Sequence, residues 1–338
     1  MVKLFDALSS AAAPLVFVAP PGPAQTIELK VSIFAHPDNT GALLVAQLAE
    51  EVRQQSAGRL TLKLYPSEQL GPTTQQYDLA RSGAADLVYI MHGTMPGRFP
   101  LTELATLPFA VPNPSCGTAA LLELLPLYLA REHEGVRVLF LAANAPMAVH
   151  SHMPLRTIQD FKGKRIRYPG SNTAATLAAL GAIPVSVLPL DVPDALKKGS
   201  IDGAAMTYQG AGYSKLAPLV RYSTNLDANT ITLSLIMHPA SYERLPPDLQ
   251  KIIDAVLGPS AGLRLAQALD RDATLGKQYM RDGGVTIIEP EAREREAFNA
   301  AVQPVIAKTI AELEAKGLPA QEVYDALKAR VARHAAQR

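Results

Sequence analysis

The chain has 338 residues, 48% of them hydrophobic and 19% charged, and its 32 Lys and Arg against 31 Asp and Glu leave a formal charge of +1. That balance argues against a nucleic-acid binder, which carries a basic excess to displace counterions from phosphate; the length predicts two domains, and the apolar share predicts a sizeable core rather than disorder. A single cysteine, Cys116, excludes an internal disulfide framework and any multi-cysteine metal site.

Met1 to Gln25 reads as an export segment, with Lys3 at its start, an apolar stretch Ala11–Ala19, and the small residues Gly22-Pro23-Ala24 before a cleavage point. Asp6 and Pro14 are atypical of such a segment, and the alternative is a frayed cytosolic N-terminus. Beyond the first thirty positions no apolar run reaches about 18 residues, so the mature chain is not expected to span a membrane.

From Ile27 to Phe34 the apolar Ile27, Leu29, Val31 and Ile33 alternate with Glu28, Lys30 and Ser32, the period of a strand. Asn39 or Thr40 caps a helix in which Leu44, Leu48 and Val52 recur every four residues until Gly58. Leu60–Tyr65 alternates again, Thr73–Ser82 is helical, and Leu87–Met91 is a continuous apolar run of the kind found in parallel strands covered on both faces. This βαβαβ order predicts an open α/β sheet. A second series follows: strand Arg165–Tyr168, helix Thr173–Leu180, strand Pro184–Leu188, helix Val192–Lys198 and strand Ile201–Thr207. Beyond Leu245 the pattern is mostly helical (Asp248–Leu257, Ser260–Asp282, Ala292–Lys316 and Pro319–Ala336) around a short strand Val285–Ile288.

One motif occurs once in each series. Asp78-Leu-Ala-Arg81-Ser-Gly83-Ala-Ala-Asp86 and Asp194-Ala-Leu-Lys197-Lys-Gly199-Ser-Ile-Asp202 share the pattern D-x-x-[RK]-x-G-x-x-D. In both, a basic residue suits the negative end of a helix, glycine supplies the left-handed cap, and aspartate opens a buried strand. Two copies at the same stage predict paired α/β lobes facing each other across a cleft. Six residues beyond each aspartate stand His92 and Tyr208, at the carboxyl ends of strands where open α/β sheets bind ligands.

The sequence contains no G-x-S-x-G elbow, no P-loop and no H-E-x-x-H. Gly210-Ala-Gly212 lacks the third glycine of a dinucleotide fingerprint and reads as a loop, and Glu50-Glu51 reads as a solvated helix face. No catalytic residue, metal or cofactor is expected.

Thr157-Ile-Gln-Asp-Phe-Lys-Gly163-Lys-Arg-Ile-Arg167-Tyr-Pro169-Gly170, followed by Ala179-Leu-Gly-Ala-Ile-Pro-Val185, resembles the signature of the DctP-type extracytoplasmic solute receptors of TRAP transporters. Arg59-Leu, Tyr65-Pro, Gln69-Leu-Gly71, Ala85-Asp86-Leu, Leu107-Pro-Phe109, Ser241-Tyr, Leu245-Pro-Pro-Asp-Leu and Ile253-Asp254 continue the resemblance from about Leu29 to Lys316. It implies a periplasmic, two-lobed binding protein, each lobe an open mixed sheet flanked by helices, with long C-terminal bracing helices. Such a protein closes around an organic acid and delivers it to the small and large subunits of a membrane permease. The family's invariant arginine falls on Arg167, whose planar fork suits a carboxylate; Arg165, two residues earlier on one strand face, competes for that role.

Two departures from the resemblance bear on the solute. Where many members carry a second arginine this chain reads Asn144-Ala-Pro-Met147, and the D-G-Q-E-N-P segment of dicarboxylate and sialic-acid receptors is Asp202-Gly-Ala-Ala-Met206-Thr-Tyr208-Gln209. That segment and Gly97-Arg98-Phe99-Pro100 are closer to a subgroup with an aromatic residue at the site. The expected solute is a monocarboxylate with an apolar or aromatic body.

The expected pocket, drawn from strand ends, has Tyr208 on the ligand body, His92 and His36 as hydrogen-bond donors, and Tyr89, Met147 and Met206 as apolar walls. Gly93 and Gln209 border it, and Ser171 or Asn172 at a helix start supplements Arg167. The expected division is 26–145 with about 233–270 for lobe I, 146–232 with about 271–318 for lobe II, and a C-terminal helix over 319–338. Hinges are expected near Ala143–Ser151 and Asn229–Leu235, and the protein is expected to be a monomer. The alternatives are an α/β enzyme such as a lyase acting on a small organic acid, or a solute-binding sensor subunit.

Overall fold

In the computed structural model, which describes residues 26–337, the chain alternates through β1 (Ile27–Ile33), α1 (Thr40–Gln55), β2 (Leu60–Tyr65), α2 (Gln76–Ser82), β3 (Leu87–Met91), α3 (Pro114–Leu124) and β4 (Arg137–Ala143). It then crosses to β5 (Ala148–Ser151), α4 (Ile158–Phe161), β6 (Arg165–Tyr168), α5 (Ser171–Ala179), β7 (Ile183–Ser186), α6 (Val192–Lys197), β8 (Gly203–Met206), α7 (Tyr208–Tyr213) and β9 (Tyr222–Asn225). It returns through β10 (Thr232–Met237), α8 (Pro239–Glu243), α9 (Pro247–Leu257) and α10 (Pro259–Asp282), and ends in β11 (Thr286–Ile288), α11 (Ala292–Glu314) and α12 (Ala320–Ala336). The expected export segment Met1–Gln25 lies outside the described residues.

Two mixed sheets result, one in each lobe. The first has the order β2-β1-β3-β10-β4, the second β11-β9-β5-β8-β6-β7. In the first, β1 runs parallel to β2 and β3, while β10 inserts antiparallel between β3 and β4. All six residues of β10 are buried, as a central strand covered on both faces requires. Strands β4, β5, β9 and β10 carry weaker alternation and were not among the expected elements; their pairing with distant partners makes them strands. The stretches between the sheets are 144–147 and 226–231, so the expected hinges Ala143–Ser151 and Asn229–Leu235 each overlap strand residues.

The duplicated motif has the same hydrogen-bonded form in both lobes. Gly83 and Gly199 sit at φ +75° and +67°, the left-handed region open to glycine, where each ends its helix. Asp86 then takes the main-chain N–H of Lys30 on its carboxylate at 2.7 Å and donates its own N–H to the Lys30 carbonyl at 3.0 Å. Asp202 does the same with Arg165, at 2.8 and 2.7 Å. Each aspartate thus fastens a strand to the start of its neighbour and fixes the register of that lobe.

Helix α10 packs against α3, β4 and α1 of the first lobe and against α7 of the second, so it bridges both. At the crossing Gly276 lies so close to the α7 main chain that a Cβ there would overlap the carbonyl of Tyr208. Helix α11 leans on α5, and α12 on α3. Gly210 and Gly212, expected in a loop, are part of the short helix α7, capped by the Thr207 hydroxyl on the Gly210 N–H at 3.0 Å.

Candidate functional site

The carboxyl ends of the strands face each other across a cavity. From the first lobe come Phe34, Asn39, Tyr89, Met91 and Leu233; from the second, Arg167, Pro169, Pro189, Met206, Thr207, Gln209, Gly210 and Tyr213; Asn144, Met147 and Ile231 come from the crossing stretches and Leu269 from α10. Phe34 and Tyr89 stack with ring centroids 5.5 Å apart and 18° between planes, which gives one wall a flat aromatic surface. Among the described residues no Asp or Glu lines the cavity, and Arg167 is its one cationic side chain.

Arg167 is 3% exposed. Its Nε donates to the Val187 carbonyl at 3.0 Å and Nη1 to the Ala205 carbonyl at 3.1 Å, which holds the guanidinium plane. No carboxylate pairs with it among the described residues, and Nη2 has no protein partner there. Burial pulls its pKa down to about 10, so it is cationic at neutral pH. An unpaired cation in an apolar enclosure is costly unless an anion joins it.

Arg165, the competing arginine, is at the other end of β6. Its Nη2 and Nε hold Asp202 at 2.6 and 3.2 Å, and Nη2 also donates to the Gly199 carbonyl. It is spent on the duplicated motif, which leaves Arg167 as the free cation of the cavity among the described residues.

Of the other expected site residues, Tyr89, Met147, Met206 and Gln209 line the cavity. Gln209 is already engaged, since Nε2 donates to Thr40 of the first lobe at 2.9 Å and Thr40 in turn to Asp272 of α10 at 2.5 Å. Gly93, Ser171 and Asn172 lie outside the lining, Ser171 exposed at the start of α5 and the other two at the seam between lobes. Gly93 touches Gly170, and Asn172 Nδ2 donates to the Glu103 carbonyl at 2.8 Å and to Thr106 Oγ1 at 2.9 Å.

Three expected contacts are corrected by their surroundings. His92 is fully buried behind the wall, with its ring nitrogens on Thr232 Oγ1 and Ser234 Oγ of β10 at 2.9 and 3.1 Å and its ring in an edge arrangement with Phe99. His36 is exposed and sits 3.4 Å from Asp38. Tyr208 turns away from the cavity, where its hydroxyl donates to Asn225 at 2.6 Å and its ring packs edge-on against His150.

The lining residues not anticipated are mainly Phe34, Asn39, Asn144, Tyr213, Leu233 and Leu269. Phe34 directly follows β1, a placement that signals it. Asn39 was legible as the helix cap, and its Oδ1 does accept the Gly41 N–H at 2.9 Å. Tyr213 directly follows the Gly210-Ala-Gly212 segment and ends α7. Leu269 comes from a bracing helix and has no local signal.

The sequence profile of bacterial extracellular solute-binding protein family 7, DctP, matches residues 31–313. A TRAP solute-binding protein of Rhodoferax ferrireducens, solved with copurified benzoate, superposes with a TM-score of 0.89 at 30% identity, over 92% of this chain and 99% of that one. A TRAP periplasmic solute-binding protein of Bordetella bronchiseptica with bound mandelate gives a TM-score of 0.84 at 25% identity, over 91% and 99%. The C4-dicarboxylate-binding periplasmic protein of Rhodobacter capsulatus is 24% identical over 315 residues, 90% of this chain and 92% of that protein. With two lobes enclosing a cavity and the family profile matched from the first sheet to the bracing helices, the chain belongs to the DctP family of TRAP extracytoplasmic solute receptors.

Proposed function

We propose that this receptor captures an aromatic or similarly apolar monocarboxylate between its lobes and delivers it unaltered to the small and large subunits of a TRAP permease. The observation that carries this reading is Arg167, a buried guanidinium without a carboxylate partner, aimed into a slot walled by Phe34, Tyr89 and methionines. A carboxylate neutralises the fork, and a flat body fills the slot. The position occupied by Asn144 and Met147 offers no second cation, which disfavours a dicarboxylate. Neighbouring structures with benzoate and mandelate support the same solute class.

In this reading the site residues are Arg167, Tyr89, Met147, Met206 and Gln209, the stretches 144–147 and 226–231 are the hinges, and the protein works as a periplasmic monomer without catalysis. Strands β1–β4 and β10 define lobe I and the remaining strands lobe II. Closure removes water from Arg167 and strengthens its attraction for the carboxylate.

Titration calorimetry with benzoate, mandelate and succinate tests the proposal. The first two should bind, succinate should be much weaker, and Arg167→Ala should lose about 2–5 kcal/mol, the scale for breaking a buried charged pair. Unchanged affinity in Arg167→Ala sinks the carboxylate assignment, and chemical conversion of a bound acid sinks the transport role.

A further inference from the structure

The polar atoms that the fold leaves unused in the cavity say more about the ligand than its walls do. Tyr89 is 1% exposed and lines the cavity, yet its hydroxyl makes no hydrogen bond to any described residue. A buried tyrosine hydroxyl ordinarily finds a partner, because leaving it bare forfeits its hydration. Its position is also built into the sequence. Gly41, in the first turn of α1, has no side chain, and a Cβ there would overlap the Tyr89 hydroxyl and the ring carbons beside it. The lobe thus places a glycine where helix propensity disfavours one and uses the space for this oxygen.

The rest of the inventory points the same way. Asn144 accepts the Ala145 N–H on Oδ1 at 2.7 Å, and its side-chain Nδ2 has no partner among the described residues. Tyr89, Tyr213 and Arg167 line the same cavity, so the three groups face one space. Donors therefore reach the cavity from both lobes, Arg167 from the second and Tyr89 from the first. With no Asp or Glu in the lining, the complementary ligand offers acceptors to each.

We infer that Tyr89 is a specificity-determining residue of the first lobe, whose hydroxyl donates to a second oxygen, hydroxyl or keto, carried by the aromatic acid held at Arg167. The inference rests on the monocarboxylate reading above and adds that the unsubstituted acid is the weaker ligand. A ligand that satisfies a donor on each lobe also ties the lobes together, so its second oxygen stabilises the closed form.

The test is titration calorimetry of wild type, Tyr89→Phe and Arg167→Ala with benzoate, 3-hydroxybenzoate, 4-hydroxybenzoate, mandelate and phenylglyoxylate. At least one oxygenated acid should bind wild type about tenfold or more tighter than benzoate, the scale of a buried hydrogen bond. Tyr89→Phe should bring that ratio close to one, and a melting temperature within a few degrees of wild type certifies that the variant is folded. A ratio that survives in Tyr89→Phe overturns the inference, as does benzoate binding at least as tightly as every oxygenated acid. If wild type binds none of the five, or Arg167→Ala binds them as wild type does, the underlying monocarboxylate reading fails and the inference with it.

Discussion

Gly93 and Gly170 meet backbone to backbone across the cleft: a Cβ added to Gly93 would lie 3.0 Å from the Gly170 Cα and 2.6 Å from the Pro169 carbonyl oxygen. The two residues belong to opposite lobes, after β3 and before α5, and neither contact can yield by rotating a side chain. Gly93→Ala should therefore hold the lobes apart without disturbing either one. We expect ligand affinity to fall by about 10-fold or more, consistent with an overpacking cost of about 1–3 kcal/mol, while the ligand-free melting temperature stays within a few degrees. Equal affinity in calorimetry would show that the contact does not limit closure.

Charge alone does not account for Arg167. Its Nε and Nη1 are anchored on the Val187 and Ala205 carbonyls, so the fork is held at a fixed angle to the cavity. Lysine keeps the charge but cannot hold both carbonyls and a carboxylate together. Arg167→Lys should weaken benzoate binding by about 10–100-fold, nearer to Arg167→Ala than to wild type; a loss below twofold would reduce the arginine to a point charge.

Asp202 couples the second lobe to pH. Its carboxyl is held below the usual range first by the hydrogen bonds from Arg165, against a partial cost of burial. With the folded pKa depressed, the unfolded chain takes up the proton first, so this stabilisation is present above the ordinary aspartate pKa of about 4 and is lost as pH falls through the folded value. Asp202→Ala also strips the Arg165 N–H of its acceptor and should cost about 1–3 kcal/mol in urea unfolding at pH 7. The deficit should shrink as the medium is acidified below about pH 4.

Glu103 has the opposite sign. It is buried beside the interlobe seam, where its carbonyl accepts from Asn172, and burial, with Glu132 nearby as the lesser cause, pushes its carboxyl up to about 7. Between the ordinary glutamate pKa near 4.5 and about 7 the folded state holds the extra proton, so stability falls as pH rises through that window. Glu103→Gln, which mimics the protonated form, should flatten this slope, a change on the order of 3 kcal/mol across the window. Urea denaturation at several pH values reads it directly; parallel curves for the two proteins would place the proton elsewhere.

The duplicated D-x-x-[RK]-x-G-x-x-D motif marks how far local pattern reaches. It announces a helix end, a left-handed glycine and the start of a buried strand, and both copies have that form. Counting six residues further to His92 and Tyr208 goes beyond what the motif governs. Strand β3 runs five residues and passes into a turn, whereas β8 runs four and passes directly into α7. Since side chains alternate faces, this difference in length breaks the equivalence, and the cavity receives Tyr89 and Met91 from one lobe and Met206 and Gln209 from the other.

By itself the sequence determined the family, the alternation of strands and helices in both series, and a cation near the carboxyl end of β6, because these follow from hydrophobic period, helix caps and contiguous motifs. Only the tertiary structure decided that Arg165 is occupied by Asp202 while Arg167 stays free, that Phe34 and Tyr89 rather than Tyr208 and His92 face the cavity, and that β10 completes the first sheet. Those outcomes depend on which distant chain segment lies against each side chain. The bond between His92 and Ser234 spans 142 positions, a separation that no local periodicity encodes.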